Sequence, residues 1–326
     1  MSAALGLMAA VFVALAPLGG PLTRALLRRG IGKNIRYDGP TSHQVKAGTA
    51  TMGGLLFVPP VVLGGAVLAI VVDARLWLAV AAVLLYAALG AYDDLQGLRD
   101  RLGVGWLARG KFAWQWVIAA LLGLALYLTP GGRVLALPLS RLTVDLGWWI
   151  VPVAALLLVA FSNGINLSDG LDGLAGGLCA EAVAAYGLLA LLTGQAGLGL
   201  FCALLVGSLL AFLWHNAHPA TLFMGDVGSQ ALGAGLAMVA LLSGQWLLLP
   251  VIGAVFVAEL LSDVLQVGYF KYTKRRYGQG RRIFKMAPLH HHFEQLGWPE
   301  TKVTTRFWVA GLVAAALGLI LRAVGQ

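Results

Sequence analysis

The chain has 326 residues, of which 59% are hydrophobic and 11% are charged, and its mean hydropathy is +0.83. Because a soluble domain carries roughly a quarter charged residues, this composition excludes an ordinary soluble globular protein. It predicts a polytopic helical membrane protein. The formal net charge of +9 does not indicate nucleic-acid binding, because the basic residues are concentrated in the loops between apolar runs. We therefore predict no nucleic-acid partner.

Apolar runs near the ~20-residue length of a membrane-spanning helix recur along the chain. We predict an all-α fold with about ten transmembrane helices, forming a single domain over residues 1–326. The predicted spans are centred near Val11, Val62, Val83, Leu121, Pro152, Val183, Leu205, Leu236, Val255 and Val313. Residues 131–145 alternate apolar and polar side chains around Pro138, which predicts a small hairpin outside the membrane, on the extracytoplasmic side.

The placement of lysine and arginine predicts the orientation of the chain. Most of the 23 basic residues lie in the regions 24–46, 99–111 and 271–306, which the positive-inside rule places in the cytoplasm. An even number of spans then puts both termini on the extracytoplasmic side. These basic regions also suit contact with anionic headgroups, so membrane lipids are expected partners.

Carboxylates gather at the same predicted membrane face. They are Asp93 and Asp94 at the end of the third span, Asp169 and Asp172 after the fifth, and Asp226 before the eighth. Carboxylates at one face repel each other unless a cation or a basic ligand compensates. Hard oxygen ligands that leave room for water and phosphate are typical of a magnesium site. The alternative for this stretch is a plain helix start with Ser168 or Asp169 as the N-cap.

Two other polar segments suit phosphate chemistry. Lys46 is followed by Thr49, Thr51 and several glycines, which suits phosphate oxygens although the order is not that of a P-loop. Residues 288–294 read PLHHHFE, and such donors fit charge neutralisation in phosphoryl transfer, whereas zinc spacing is absent. Three acidic residues lie inside apolar runs instead: Glu181, Glu259 and Asp263. They could line a cavity, satisfy polar groups within the bundle or form a proton path.

Together these motifs resemble those of the polyprenyl-phosphate N-acetylhexosamine-1-phosphate transferases, most closely the phospho-N-acetylmuramoyl-pentapeptide transferase family. The matching segments read RYDGPTSHQVKAGTATMGG, AYDD, NGINLSDGLDGLA, HNAHPATLFMGDVGS and RRIFKMAPLHHHFEQLGWPETKV. They cover essentially the whole chain. The resemblance implies ten transmembrane helices, a cytoplasmic-face active site, magnesium dependence and commonly a homodimer.

By position, the resemblance also implies roles for individual residues. The implied catalytic residues are Asp93, Asp94, Asp226 and His290, with Asp226 as the Mg²⁺ ligand. The implied substrate-binding residues are Lys46, Thr51, Lys111, Asn166, Asp169, Gly170, Leu171, Asp172, Asn216, Phe223, His291 and His292. Among these, Phe223 would stack on uracil and Lys111 would contribute to phosphate binding.

The implied reaction moves phospho-MurNAc-pentapeptide from UDP-MurNAc-pentapeptide to undecaprenyl phosphate at the bacterial inner membrane, releasing UMP and forming lipid I for peptidoglycan. Two alternatives stay open: a relative that transfers GlcNAc-1-phosphate in another envelope pathway, and a transporter, which the acidic residues within spans suggest. Direct attack by the lipid phosphate competes with a two-step path through an aspartyl intermediate on Asp94. Gly97 departs from the lysine that is usual in the family at this position.

Overall fold

The computed structural model describes residues 1–32, 48–99 and 108–324. Lys46, an expected substrate contact, lies outside the described residues. The predicted all-α fold is confirmed. In chain order the helices are α1 (Ser2–Leu15), α2 (Gly19–Arg28), α3 (Val58–Val71), α4 (Leu76–Arg99), α5 (Ala108–Leu128), α6 (Ile150–Ser168), α7 (Leu174–Leu192), α8 (Ala196–Asn216), α9 (Gly225–Leu242), α10 (Leu249–Ile252), α11 (Ala254–Tyr277), α12 (Leu289–Glu294) and α13 (Glu300–Ala323).

Nine helical segments in the described part of the chain are long and apolar enough to cross a membrane. A tenth results if Trp246–Ile252 and Ala254–Tyr277, which are bent by 76° relative to each other, are taken as one span. The prediction of about ten transmembrane helices is therefore confirmed, except that the ninth predicted span is broken near its centre. The protein is an integral membrane protein.

Helix α9 forms the centre of the bundle, with 89% of its most apolar stretch buried. It packs mainly against α4 and α6. Glycines allow this close approach, because a Cβ at Gly233 would meet the backbone of α6 and a Cβ at Gly90 would meet the backbone of Asp226. The first turn of α9, which carries Asp226, is thereby held against the part of α4 that carries Asp93.

The predicted hairpin between the fourth and fifth spans is present. Strands β1 (Val134–Ala136) and β2 (Thr143–Asp145) pair antiparallel, with Leu135 opposite Val144. The hairpin follows the C-terminus of α5, whereas Lys111 lies in the first turn of that helix. The hairpin and Lys111 are therefore at opposite ends of the bundle.

A short turn with an internal ion pair joins α3 to α4. The Asp73 carboxylate accepts hydrogen bonds from the Arg75 backbone N–H at 3.0 Å and from Arg75 Nη2 at 2.8 Å. These bonds from Arg75 hold the pKa of Asp73 below its usual value, and Asp73 in turn raises the pKa of Arg75. The pair stabilises the turn at the end of α4 that is remote from Asp93.

Candidate active site

One end of the bundle holds charges from three helices. Asp93 lies near the end of α4, Lys111 in the first turn of α5 and Asp226 in the first turn of α9. The Lys111 ammonium donates to Asp93 Oδ2 at 2.9 Å and also to Asp226 Oδ2. The side chains of Asp93 and Lys111 are each 16% exposed and that of Asp226 is 24% exposed. Two partly desolvated carboxylates thus share one cation, which leaves net negative charge at this point.

Amide side chains surround the Asp226 carboxylate. Asn166 Nδ2 donates to Oδ1 at 2.8 Å, and Gln230 Nε2 donates to Oδ2 at 3.1 Å. Behind them, the Gln115 side chain accepts from Asn163 at 2.8 Å and donates to Gln230 at 3.2 Å. This network fixes the direction of the carboxylate. The carboxylate–lysine cluster is defined here as Asp93, Lys111, Asn166 and Asp226.

Asp94 has a different environment from its neighbour in sequence. Its Oδ1 and Oδ2 accept from the backbone N–H groups of Asp226 and Val227, each at 3.0 Å. First-turn N–H groups have no partner within their own helix. Asp94 therefore caps α9 from α4, with both oxygens engaged by backbone, which favours an anchoring role over that of a nucleophile.

The segment that carries Thr51 is docked on the segment that precedes α9. The Phe223 N–H donates to the Ala50 carbonyl at 2.8 Å, and the Gly53 N–H donates to the Phe223 carbonyl at 2.7 Å. Backbone bonds thus bring two residues of the expected substrate set, Thr51 and Phe223, side by side. Phe223 is half-buried and lies three residues before Asp226.

A second group of polar residues surrounds the turn at 169–173, between α6 and α7. The Asp172 side chain, only 3% exposed, accepts from the Ala220 N–H at 3.1 Å and contacts His218 Nδ1 at 3.0 Å. The Asp172 N–H donates to Glu300 Oε1, at the start of α13, at 2.6 Å. Asp172, His218 and Glu300 each place one ligand atom within 4.8 Å of the others, so this group has the donors for a cation as well.

Two residues of the expected substrate set are buried here, Leu171 within the turn and Asn216 at the end of α8. Leu171 is 4% and Asn216 is 3% exposed. Asn216 Oδ1 accepts from the Gly173 N–H at 3.0 Å, and its Nδ2 donates to the Leu222 carbonyl at 2.9 Å. Both residues support the wall of the turn. The half-buried positions at the start of the turn are Asp169 and Gly170. The turn cluster is defined here as Asp172, Asn216, His218 and Glu300.

The three consecutive histidines lie on α12 and are directed at three different partners, as adjacent helix positions require. His290 is completely buried, with Nδ1 3.2 Å from Glu259 Oε2 on α11. His291 Nδ1 lies 2.7 Å from Glu294 Oε2, and His292 Nδ1 accepts from the Lys285 backbone N–H at 3.1 Å. Each imidazole ring is thus oriented by a different partner residue.

Comparison with known proteins identifies the family. The family model described as Glycosyl transferase family 4 matches residues 76–244. A phospho-N-acetylmuramoyl-pentapeptide-transferase of Chloroflexus aurantiacus is 48% identical over 331 residues, which cover 98% of this chain and 90% of that protein. The chain belongs to the phospho-N-acetylmuramoyl-pentapeptide-transferase family. Proteins of the same name from Moorella thermoacetica and Desulfotalea psychrophila are 44% and 41% identical, covering 93% and 95% of this chain and 94% and 89% of their own lengths.

Membership in the phospho-N-acetylmuramoyl-pentapeptide-transferase family makes the protein a membrane-embedded transferase, so the transporter alternative is wrong. Enzymes of this family are phosphosugar transferases that generally use a divalent metal, and the family implies a nucleotide-sugar-peptide substrate and a lipid carrier. The carboxylate–lysine cluster lies wholly within the matched residues 76–244.

Sequence reasoning missed several residues that contact the two clusters. They are Gln115, His218, Gln230 and Glu300. Gln115 and Gln230 are amides inside apolar runs, and that signal was available, because a buried amide in a membrane bundle needs partners. His218 and Glu300 lie within segments that carry the family resemblance. Their positions relative to Asp172 depend on how α8 and α13 pack, which no local pattern shows.

Proposed function

We propose that the protein transfers phospho-MurNAc-pentapeptide from UDP-MurNAc-pentapeptide to undecaprenyl phosphate, releasing UMP and forming lipid I. The observation that carries this proposal is the shared ion pair of Lys111 with Asp93 and Asp226, which joins three helices of a family member at one end of the bundle. A lysine between two carboxylates can leave them for substrate phosphate when a metal ion replaces its charge.

Magnesium is the metal that we propose for this site. The donors suit it, since Asp226 and Asp93 present oxygen atoms that converge on one cation, the Lys111 ammonium. Asp226 would hold the ion, with Asp93 beside it. When bound, Mg²⁺ would neutralise pyrophosphate charge and stabilise the departing UMP.

The chain's own residues would organise the phosphoryl transfer. A lipid-phosphate oxygen forms a bond to the phosphorus that carries the sugar, and the bond from that phosphorus to the UMP oxygen breaks. The lipid phosphate has a second pKa near ~6, so it is mostly a dianion at neutral pH and needs little help from Asp93 as a base. Lys111 would offset the phosphate charge. The backbone bonds of Asp94 support direct attack over an aspartyl intermediate.

The turn cluster would form the nucleotide end of the site. We propose that Phe223 stacks on uracil, and that the 169–172 turn, supported by Asn216 and Asp172, shapes the pocket around the uridine. Asn166 contacts Asp226 directly, and Thr51 lies on the segment that is bonded to the residues just before α9. His291 and His292 would lie toward the substrate phosphates, and Lys46 would join them from the loop before Thr51.

The location follows from the same proposal. The protein would sit in the bacterial cytoplasmic membrane as a homodimer, with the site on the cytoplasmic face and both termini outside. The basic residues of 271–306 support this orientation, because they lie at the end of α11 and around the histidine-bearing helix α12.

The test is UMP release by the purified protein in detergent with undecaprenyl phosphate and magnesium. UDP-MurNAc-pentapeptide and UDP-GlcNAc are supplied in parallel reactions. We expect UMP from the pentapeptide substrate alone, and its loss in Asp226→Asn. Asp145→Asn, an exposed carboxylate of the hairpin, is the matched control and should retain activity. UMP from UDP-GlcNAc alone would overturn the proposed substrate, and no UMP from either would overturn the reaction.

A further inference from the structure

A buried carboxylate–imidazole pair lies where α11 meets α12. Glu259 and His290 are both 0% exposed. Glu259 Oε2 lies 3.2 Å from His290 Nδ1, and Glu259 Oε1 accepts from the His290 backbone N–H, also at 3.2 Å. Both oxygens of one buried carboxylate are thus directed at a single residue, and they fix its backbone and its ring together.

The contact with Glu259 defines the state of the ring. Glu259 Oε1 already accepts from a backbone N–H, and a second acceptor at Oε2 pairs with the ring tautomer that carries its hydrogen on Nδ1 and keeps the Nε2 lone pair free. Nε2 is buried and has no hydrogen-bond partner among the residues that the structure describes. Among the described residues, the polar contact of the ring is therefore the one with Glu259.

The free edge of the His290 ring presses on the turn between α6 and α7. A Cβ added at Gly170 would collide with Nε2 and would lie 3.0 Å from Cε1. The Cα–H that such a Cβ would replace points at Nε2, and a lone pair can face a Cα–H. A hydrogen on Nε2 would instead bring two hydrogens into contact. The ring of His290 and the turn are thus in direct contact at Gly170.

We infer that Glu259 is a positioning residue for the nucleotide pocket. By holding His290 as the Nδ1–H form against Gly170, it sets the place of the 169–172 turn relative to α11 and α12. The inference rests on the proposed function only in naming that turn as the wall of a nucleotide pocket. It gives a role to an acidic residue inside the ninth span, and it accounts for a glycine at 170, where any side chain would displace the ring.

A purely structural role for Glu259 predicts a different kinetic result. If Glu259 only stabilises the bundle, its replacement reduces the amount of folded enzyme. The apparent kcat then falls, and the KM values for both substrates stay the same. A positioning residue at the turn raises KM for the nucleotide substrate and weakens UDP binding, while KM for undecaprenyl phosphate stays the same. The split between the two KM values therefore separates the two roles.

The test compares Glu259→Gln with Asp263→Asn. Both replace a carboxylate by an amide on α11, one turn apart, and Asp263 is half-buried and belongs to neither cluster. In Glu259→Gln the amide oxygen can still accept from the backbone N–H of His290, but its NH₂ group faces Nδ1 and shifts the ring hydrogen to Nε2. Nitrogen NMR of ¹⁵N-histidine-labelled protein in nanodiscs reads the ring state, with His290 assigned by difference from His290→Gln. Isothermal titration calorimetry with UDP measures the affinity of the nucleotide pocket.

We expect an Nδ1–H ring in the wild type and an Nε2–H ring in Glu259→Gln. UDP binding should weaken about tenfold in Glu259→Gln, the effect of one misplaced hydrogen bond, and should be unchanged in Asp263→Asn. An Nε2–H or doubly protonated ring in the wild type would overturn the inference. So would equal UDP binding by Glu259→Gln and wild type.

A second variant covers the case in which Glu259→Gln does not fold. Gly170→Ala places a Cβ against Nε2, so it should weaken UDP binding while leaving the hydrogen on Nδ1, and normal UDP binding by this variant would overturn the inference. If the wild type binds UDP but releases no UMP, the proposed reaction fails and the positioning role stands. If the wild type does not bind UDP, both fail.

Discussion

The two clusters of the site are built in opposite ways. In the carboxylate–lysine cluster, Asp93 and Asp226 contact side chains from other helices, and Lys111 serves both. In the turn cluster, Asn216 is bonded to backbone N–H and C=O groups and Asp172 to a backbone N–H as well as to His218. Side-chain partners can be exchanged without moving the chain, whereas backbone partners fix a shape. The first arrangement suits charge that changes during a reaction, and the second suits recognition of a ligand of constant shape.

Removing the shared cation should have the largest effect. Lys111→Met removes the ammonium that Asp93 and Asp226 share, and with it a donor to the transferred phosphate, so kcat should fall about 10²–10³-fold. Lys111→Arg keeps the charge and should retain part of the activity. UMP release at saturating substrate measures kcat. A Lys111→Met enzyme within threefold of wild type would show that the lysine is not part of the reaction.

Disturbing the anchor between α4 and α9 should come next. In Asp94→Asn one oxygen of the cap becomes an NH₂ group that faces a backbone N–H, so the first turn of α9 shifts and takes Asp226 with it. We expect a loss of about 1–3 kcal/mol in stability and a higher magnesium requirement for UMP release. Intact-protein mass spectrometry, with undecaprenyl phosphate withheld, should find no phosphosugar adduct on the wild type. Such an adduct would restore the two-step path.

The turn cluster should respond through binding instead of rate. Glu300→Gln keeps an oxygen for the Asp172 N–H but removes the negative charge that lies 3.8 Å from His218. We expect KM for the nucleotide substrate to rise about fivefold, as for one weakened charge-assisted bond, with kcat nearly unchanged. Initial rates over a range of nucleotide concentrations measure both. A fall in kcat with constant KM would mean that the two clusters are not separate in function.

The ion pair between Asp73 and Arg75 provides the baseline, because it lies at the far end of α4. The pKa of Asp73 in the folded protein is below the unfolded value of ~3.9. The pair therefore stabilises the fold above about pH 4 and loses that effect as pH falls through the folded pKa. Asp73→Asn should lower the free energy of unfolding by less than about 1 kcal/mol at pH 7, with unchanged UMP release. Thermal unfolding at pH 7 and pH 3 checks this, and the difference should be smaller at the lower pH.

Much of the fold was readable from hydrophobic runs, because a membrane demands helices of nearly fixed length. The side of the membrane expected for each loop predicted that Asp93 and Asp226 lie at the same end of the bundle, whereas their contact through Lys111 was not predicted. The separate environment of Asp94 did not follow, since it depends on which face of α4 meets the start of α9. The burial of His290 against Glu259 was equally out of reach, because the two lie on different helices, α11 and α12, whose packing no local pattern shows.

The cap that Asp94 places on α9 also bears on the direction in which its neighbour points. Consecutive residues on an α-helix are turned by about 100° about the axis. Since both carboxylate oxygens of Asp94 are held by the backbone of α9, α4 cannot rotate about its axis or slide along it without breaking them. The rotational phase of α4 is thereby locked, and with it the angle at which Asp93 leaves the helix. Asp94 thus fixes the orientation of α4, and that orientation sets the direction of the Asp93 side chain. An insertion between the two residues would turn Asp93 by about 100° about the axis of α4, away from Lys111.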